Sequence, residues 1–140
     1  MMTGNAKILR GVRFDELGQL MQPLFQQLQQ TAETKNQEIT GPTFATYSNV
    51  NIRKKTCDCR CVVPTADGDY HIAANNYFVF EVVGDYQFME LAWYIAHTHL
   101  RMLKRKSNTK APSVEIYQQM ADESANNQHN ITEILIPLKD

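Results

Sequence analysis

At 140 residues the chain has about the length of one domain, and 43% hydrophobic against 21% charged residues is the balance of an ordinary globular protein. A formal net charge of -1 offers no clustered basic field for nucleic acid, and no apolar run approaches the ~18 residues of a membrane span. The opening MMTGNAKILRG has neither a long apolar segment nor a cleavage pattern, so the expectation is a cytoplasmic protein with no direct nucleic-acid or membrane partner.

In chain order, residues 7–13 (KILRGVR) read as a short strand. Leu17, Leu20, Met21, Leu24 and Leu28 then recur at helical steps and predict a helix that fades by Thr34. Asp15 and Glu16 suit its start. Pro23 predicts a kink, or a lead-in turn, because proline removes a backbone hydrogen bond inside a helix. Residues 43–48 read as a strand after Gly41-Pro42, and 49–55 as a polar loop. Residues 56–63 (TCDCRCVV) alternate as a strand, and 65–76 (TADGDYHIAANN) carry the densest turn chemistry, expected to connect two halves.

The second half repeats the order. Residues 77–83 (YFVFEVV) are a strong strand candidate, and Gly84-Asp85-Tyr86 predicts a turn into a helix over 87–106. Phe88, Leu91, Ala92, Ile95, His99, Met102 and Leu103 form one apolar stripe of that helix, broadened by Trp93, Ala96 and Leu100. Residues 111–117 (APSVEIY) and 131–138 (ITEILIPL) are strands, with a polar mobile loop over 118–130. Met89, Met102 and Met120 are expected as core fillers, and Glu81 and Glu90 as surface or capping residues.

The near copies are specific. APSVEIY matches GPTFATY at 41–47, Ile134-Leu135-Ile136-Pro137 matches Cys61-Val62-Val63-Pro64, and FMELAWY at 88–94 matches FDELGQL at 14–20. Each half thus reads strand, helix, strand, strand, with repeat 1 over about 6–64, a connection over 65–76, and repeat 2 over about 77–139. The expected fold is α+β: an antiparallel sheet with helices packed on one face and a ligand cleft between the pseudo-twofold repeats.

Strand alternation puts Val114 and Ile116 on one face, and Ser113, Glu115 and Tyr117 on the other. With the Val114 face set against the helices, Glu115, Tyr117 and Tyr47 would line the opposite surface. Ala45 stands where the second repeat has Glu115. A carboxylate among aromatic rings can neutralise a cation or serve as a general acid or base; on an open sheet face it is simply solvated. Trp93, the only tryptophan, is either a stacking wall or core packing. Cys57, Cys59 and Cys61 share a strand face, but no fourth ligand is near, and buried packing explains them better than metal. His97 and His99, two residues apart, cannot form a helical metal pair. No metal or cofactor is expected.

In their order GPTFATY, C-V-V-P, a GDY turn into a helix with A-W, P-S-V-E-I-Y, and T-E-I-L-I-P-L, these motifs resemble the GyrI-like small-molecule-binding domain. This is also the effector-binding domain of MerR-type and AraC-type transcription regulators. The resemblance spans about 6–139. It implies a ligand cleft between two repeats, lipophilic cations or drugs as ligands, Glu115 as the pocket acid, and Tyr117, Tyr47 and Trp93 as its aromatic walls. Arg60 stands where the family often has an acid, and Asn75-Asn76 where glycines are common. The resemblance also implies a DNA-binding domain or regulator partner outside this chain. Two alternatives accompany it: a hydrolase of reactive xenobiotics in which Glu115 activates water with Tyr47 or Tyr117 as proton donor, and a gyrase-inhibitor-like protein-interaction module.

Overall fold

A computed structural model describes residues 2–73, 75–84, 88–119 and 130–139. The turn at Asp85 and Tyr86, the helix start at Gln87, Met120, and the loop over 120–129 with His129 lie outside the described residues. The architecture is α+β. The chain divides into two compact units, Met1–Ala74 and Asn75–Asp140.

The first unit holds β1 (Met2–Arg13), a 3-10 turn (Phe14–Glu16), α1 (Leu17–Thr34), β2 (Phe44–Asn51), β3 (Thr56–Pro64) and β4 (Tyr70–Ile72). Its strands pair antiparallel in the order β4-β1-β3-β2. Strand β1 is longer than its apolar core of Ile8 and Leu9 suggests, because its first residues pair with β4: Met2 with Ile72 and Gly4 with Tyr70. Strand β4 lies inside what reads as pure turn. Gly68 makes the connection possible, since its backbone lies against Gly4, where an added Cβ would come within 2.1 Å of the Gly4 carbonyl carbon.

Helix α1 continues through Pro23 without a break and buries Met21, Leu28 and Ala32. The proline is exposed, so its ring faces solvent and only the bond to the carbonyl four residues back is lost. Register settles which side of the sheet the helix covers. Tyr47 pairs with Cys59 and Ala45 with Cys61, and paired residues point to the same side. The Tyr47 hydroxyl reaches Met21 Sδ of α1 at 3.8 Å. Ala45, Tyr47, Cys59 and Cys61 therefore face the helix. The three cysteines form no disulfide and are buried, filling space as small apolar groups.

The second unit holds β5 (Tyr77–Val83), α2 (Met89–Met102), β6 (Ser113–Gln119) and β7 (Ile131–Pro137), with strand order β6-β7-β5. Its core gathers Met89, Ala92, Ala96 and Leu100 of α2 with Ile134 and Ile136 of β7, flanked by Phe78, Phe80, Val82, Trp93 and Leu138.

The backbones of the two units agree in detail. Helix α1 ends with Asn36 at φ 54, and Gln37 N–H bonds back to the Ala32 carbonyl at 2.8 Å. Helix α2 ends with Lys104 at φ 57, and Arg105 N–H bonds back to Leu100 at 3.1 Å. Both are left-handed terminations of the Schellman type. Each is followed by the same tie: Thr40 N–H to the Pro64 carbonyl at 3.0 Å, and Asn108 N–H to the Pro137 carbonyl at 2.8 Å. This termination stops α2 at Met102, short of the expected 106.

Two expectations fail here. Of the apolar stripe assigned to α2 only Ala92 is buried: Phe88, Leu91, Ile95, His99, Met102 and Leu103 are exposed, and Met102 at 75% is no core filler. Helix α2 is apolar nearly all round, so periodicity alone could not choose a face. The face of Val114 and Ile116 is also not the one against the helix. Glu115 pairs with Ile134, Ile134 pairs with Phe80, and both belong to the core under α2. Glu115 and Tyr117 thus point to the helix side.

Candidate functional site around Glu115

Strand β6 aims Glu115 toward α2, and α2 answers with Trp93. The indole Nε1–H donates to Glu115 Oε2 at 2.5 Å, and the Tyr117 hydroxyl donates to Oε1 at 2.7 Å. Glu115 is 2% exposed. Tyr117 is buried, and Trp93 is half-buried. Each carboxylate oxygen therefore accepts from a different aromatic side chain. Two donors also fix the plane of the carboxylate, so its charge has a defined direction.

A fourth residue joins the cluster. His97, one helical turn beyond Trp93, stacks on the indole with centroids 6.1 Å apart and planes at 29°. Loss of hydration holds the imidazole below the usual histidine range, and the nearby Arg101 guanidinium adds to the effect. The sequence signal for it is the i, i+4 spacing from Trp93. His99 turns the other way and meets Phe80 at 5.9 Å.

Of the four residues singled out from the sequence, Glu115, Trp93 and Tyr117 come together in the second unit. Tyr47 sits in the first unit with its hydroxyl on Met21. In that unit Ala45 takes the place of the acid and Gln19 that of the tryptophan, so the cluster has no copy built from matching positions. Arg60, where an acid is common in the family the motifs resemble, lies over the Tyr70 ring at 4.4 Å. Among the described residues, no group of three or more His, Cys, Asp or Glu has the arrangement of a metal site, and no helix is long and apolar enough to cross a membrane.

No family model matches the chain, and no curated protein matches it. Solved structures do. The protein SAV2435, in a structure bound to tetraphenylphosphonium, superposes with a TM-score of 0.59 at 17% identity, covering 99% of this chain and 87% of that one. A Staphylococcus aureus MU50 protein assigned to bacterial transcription regulation superposes with a TM-score of 0.60 at 16% identity, covering 99% of this chain and 92% of that one. At these identities the likeness is one of fold, and it extends over nearly the whole of this chain.

Proposed function

We propose that residues 1–140 form a single small-molecule-binding domain of the GyrI-like effector-binding kind, which takes a bulky aromatic or lipophilic cation at Glu115. The observation that carries this reading is the Glu115 carboxylate, 2% exposed and held by Trp93 and Tyr117. Both donors are neutral. They orient the carboxylate, and a cation bound there would pair with its charge. A buried acid suits recognition of positive charge, because a bound cation offsets part of the cost of burying it. The aromatic rings add cation–π attraction. Tyr47 is not needed for this reading.

Two further points support it. SAV2435 shares the fold and was solved with tetraphenylphosphonium, a large aromatic cation. The regulator-related neighbour agrees with an effector role, in which a DNA-binding module would stand outside this chain. Hydrolysis is less well supported: a carboxylate that activates water must be open to it, and both Glu115 oxygens already accept hydrogen bonds.

Trp93 is the only tryptophan, so its fluorescence reports directly on the cluster. Titration with tetraphenylphosphonium should shift that emission, and Glu115→Gln should weaken binding by about tenfold or more. Triphenylphosphine oxide, aromatic but neutral, should lose far less in the same variant. Equal losses for both ligands would remove the charge role.

A further inference from the structure

Helix α2 is apolar on two sides. Its inner side packs Met89, Ala92, Ala96 and Leu100 into the core. Its outer side exposes Phe88 (56%), Leu91 (58%), Tyr94 (50%), Ile95 (41%) and Met102 (75%). At about 100° per residue these five fall within one arc of the helix. Helix α1 shows what a solvated side looks like in this chain: away from Met21, Leu28 and Ala32 it exposes Gln26 and Gln30. The arc also holds Thr98, whose hydroxyl bonds back to the Tyr94 carbonyl at 2.8 Å, and an apolar strip of this kind on a helix marks an interaction surface. Aromatic residues and methionine are also the types enriched at protein interfaces.

Charge selects the occupant. Glu90, near the start of α2, and Arg101, in its last turn, are both exposed. Eleven positions on, after about three turns of helix, Arg101 returns to the flank of the strip that carries Glu90. A twofold axis crossing the strip near Ile95 brings each Glu90 beside Arg101 of a second copy, and each Leu91 toward the second copy's Met102. A parallel pairing would set Glu90 at the same level as Glu90, and Arg101 at the same level as Arg101. The strip is thus self-complementary in one orientation, as an isologous interface requires.

We propose that the outer face of α2 is a homodimer interface, in which two copies of this chain pack α2 against α2 in antiparallel orientation. Trp93 projects from the opposite side of the helix, toward Glu115, so the interface leaves the hydrogen bonds of that cluster in place. The inference does not depend on the ligand proposed above.

Sedimentation equilibrium of the full chain tests it. The wild type should dimerise with increasing concentration, and Ile95→Glu should leave a monomer with unchanged far-UV circular dichroism. Glu90→Arg and Arg101→Glu should each weaken the dimer by about tenfold or more, because two symmetric attractions become repulsions. The two combined should restore it. These two positions are exposed, so this exchange decides the matter even where Ile95→Glu fails to fold. A wild type that stays monomeric overturns the proposal, as does a dimer indifferent to Ile95→Glu. A double variant no tighter than either single one overturns the antiparallel arrangement. A monomer that binds phosphatidylglycerol vesicles through this strip assigns the face to a lipid surface and overturns it as well.

Discussion

Tyr117 and Glu115 lie two positions apart on one strand, and the tyrosine hydroxyl donates to the carboxylate of its own neighbour at 2.7 Å. A strand's alternation keeps the pair on one face regardless of any ligand. Tyr117→Phe removes a bond to a charged acceptor and should destabilise the protein by about 1.5–3 kcal/mol, read from urea unfolding. In Glu115→Gln the same tyrosine change should cost clearly less, because the two residues share one interaction. Strict additivity would show that the bond contributes little.

His97 should titrate below its ordinary value of 6.5. Its proton binds more readily to the unfolded chain, so its contribution to stability is complete above that value. The contribution shrinks as pH falls through the lower folded value. Trp93 emission, sensitive to a charged imidazole stacked on it, should follow the same transition. Arg101→Ala removes a like charge and should move the midpoint upward. A midpoint at or above the ordinary histidine value would contradict the arrangement.

Asp58 closes the bulge in β1. Its carboxylate accepts from the Asn49 side-chain amide at 2.8 Å and from Gly11 N–H at 2.8 Å. These bonds, the Asn49 one foremost, hold its pKa below the ordinary value of 3.8. The stabilisation is present above that value and is lost as pH falls through the lower folded one. Asn49→Ala should raise the Asp58 midpoint, followed by carboxyl NMR shifts in acid titration. An unmoved midpoint would mean that the amide is not the main cause.

Gly68→Ala should destabilise by about 1–3 kcal/mol, since the new methyl would meet the Gly4 backbone rather than a movable side chain. Thermal unfolding would measure it. A neutral result would mean that the 65–69 connection shifts freely away from β1.

Lys104→Gly should do the opposite. Lys104 holds φ 57 at the end of α2, a conformation that costs a side chain about 1 kcal/mol and glycine almost nothing. A gain of about 0.5–1 kcal/mol is expected in chemical denaturation. A loss would indicate that the lysine side chain contributes more than its backbone costs.

The repeat was legible because it is written in features that act locally. Proline at 64 and 137, and the strands running into them, mark the same backbone ties in both units. What was not legible depended on distant partners. Strand β4 has three residues, too few for alternation to register, and exists because Met2–Gly4 lie beside it. The orientation of β6 is not legible from alternation because both of its faces are buried: Val114 is 0% exposed on one and Glu115 2% on the other. A lone acid normally marks the wet side of a strand. Here the Trp93 indole draws it inward, and only the fold reveals that a tryptophan stands above it.

Cys57, Cys59 and Cys61 sit in a row beneath α1, and every thiol of the chain is among them. The sole indole lies in the other unit, at Trp93. The protein therefore carries two intrinsic probes that do not overlap. Alkylation of the cysteines times the opening of Met1–Ala74, and tryptophan emission times that of Asn75–Asp140. Run together along one denaturant gradient, they separate concerted melting from stepwise melting without a label or a mutation. Coincident curves mean that the duplicated halves have become a single cooperative body; displaced curves mean that each has kept its own melting transition.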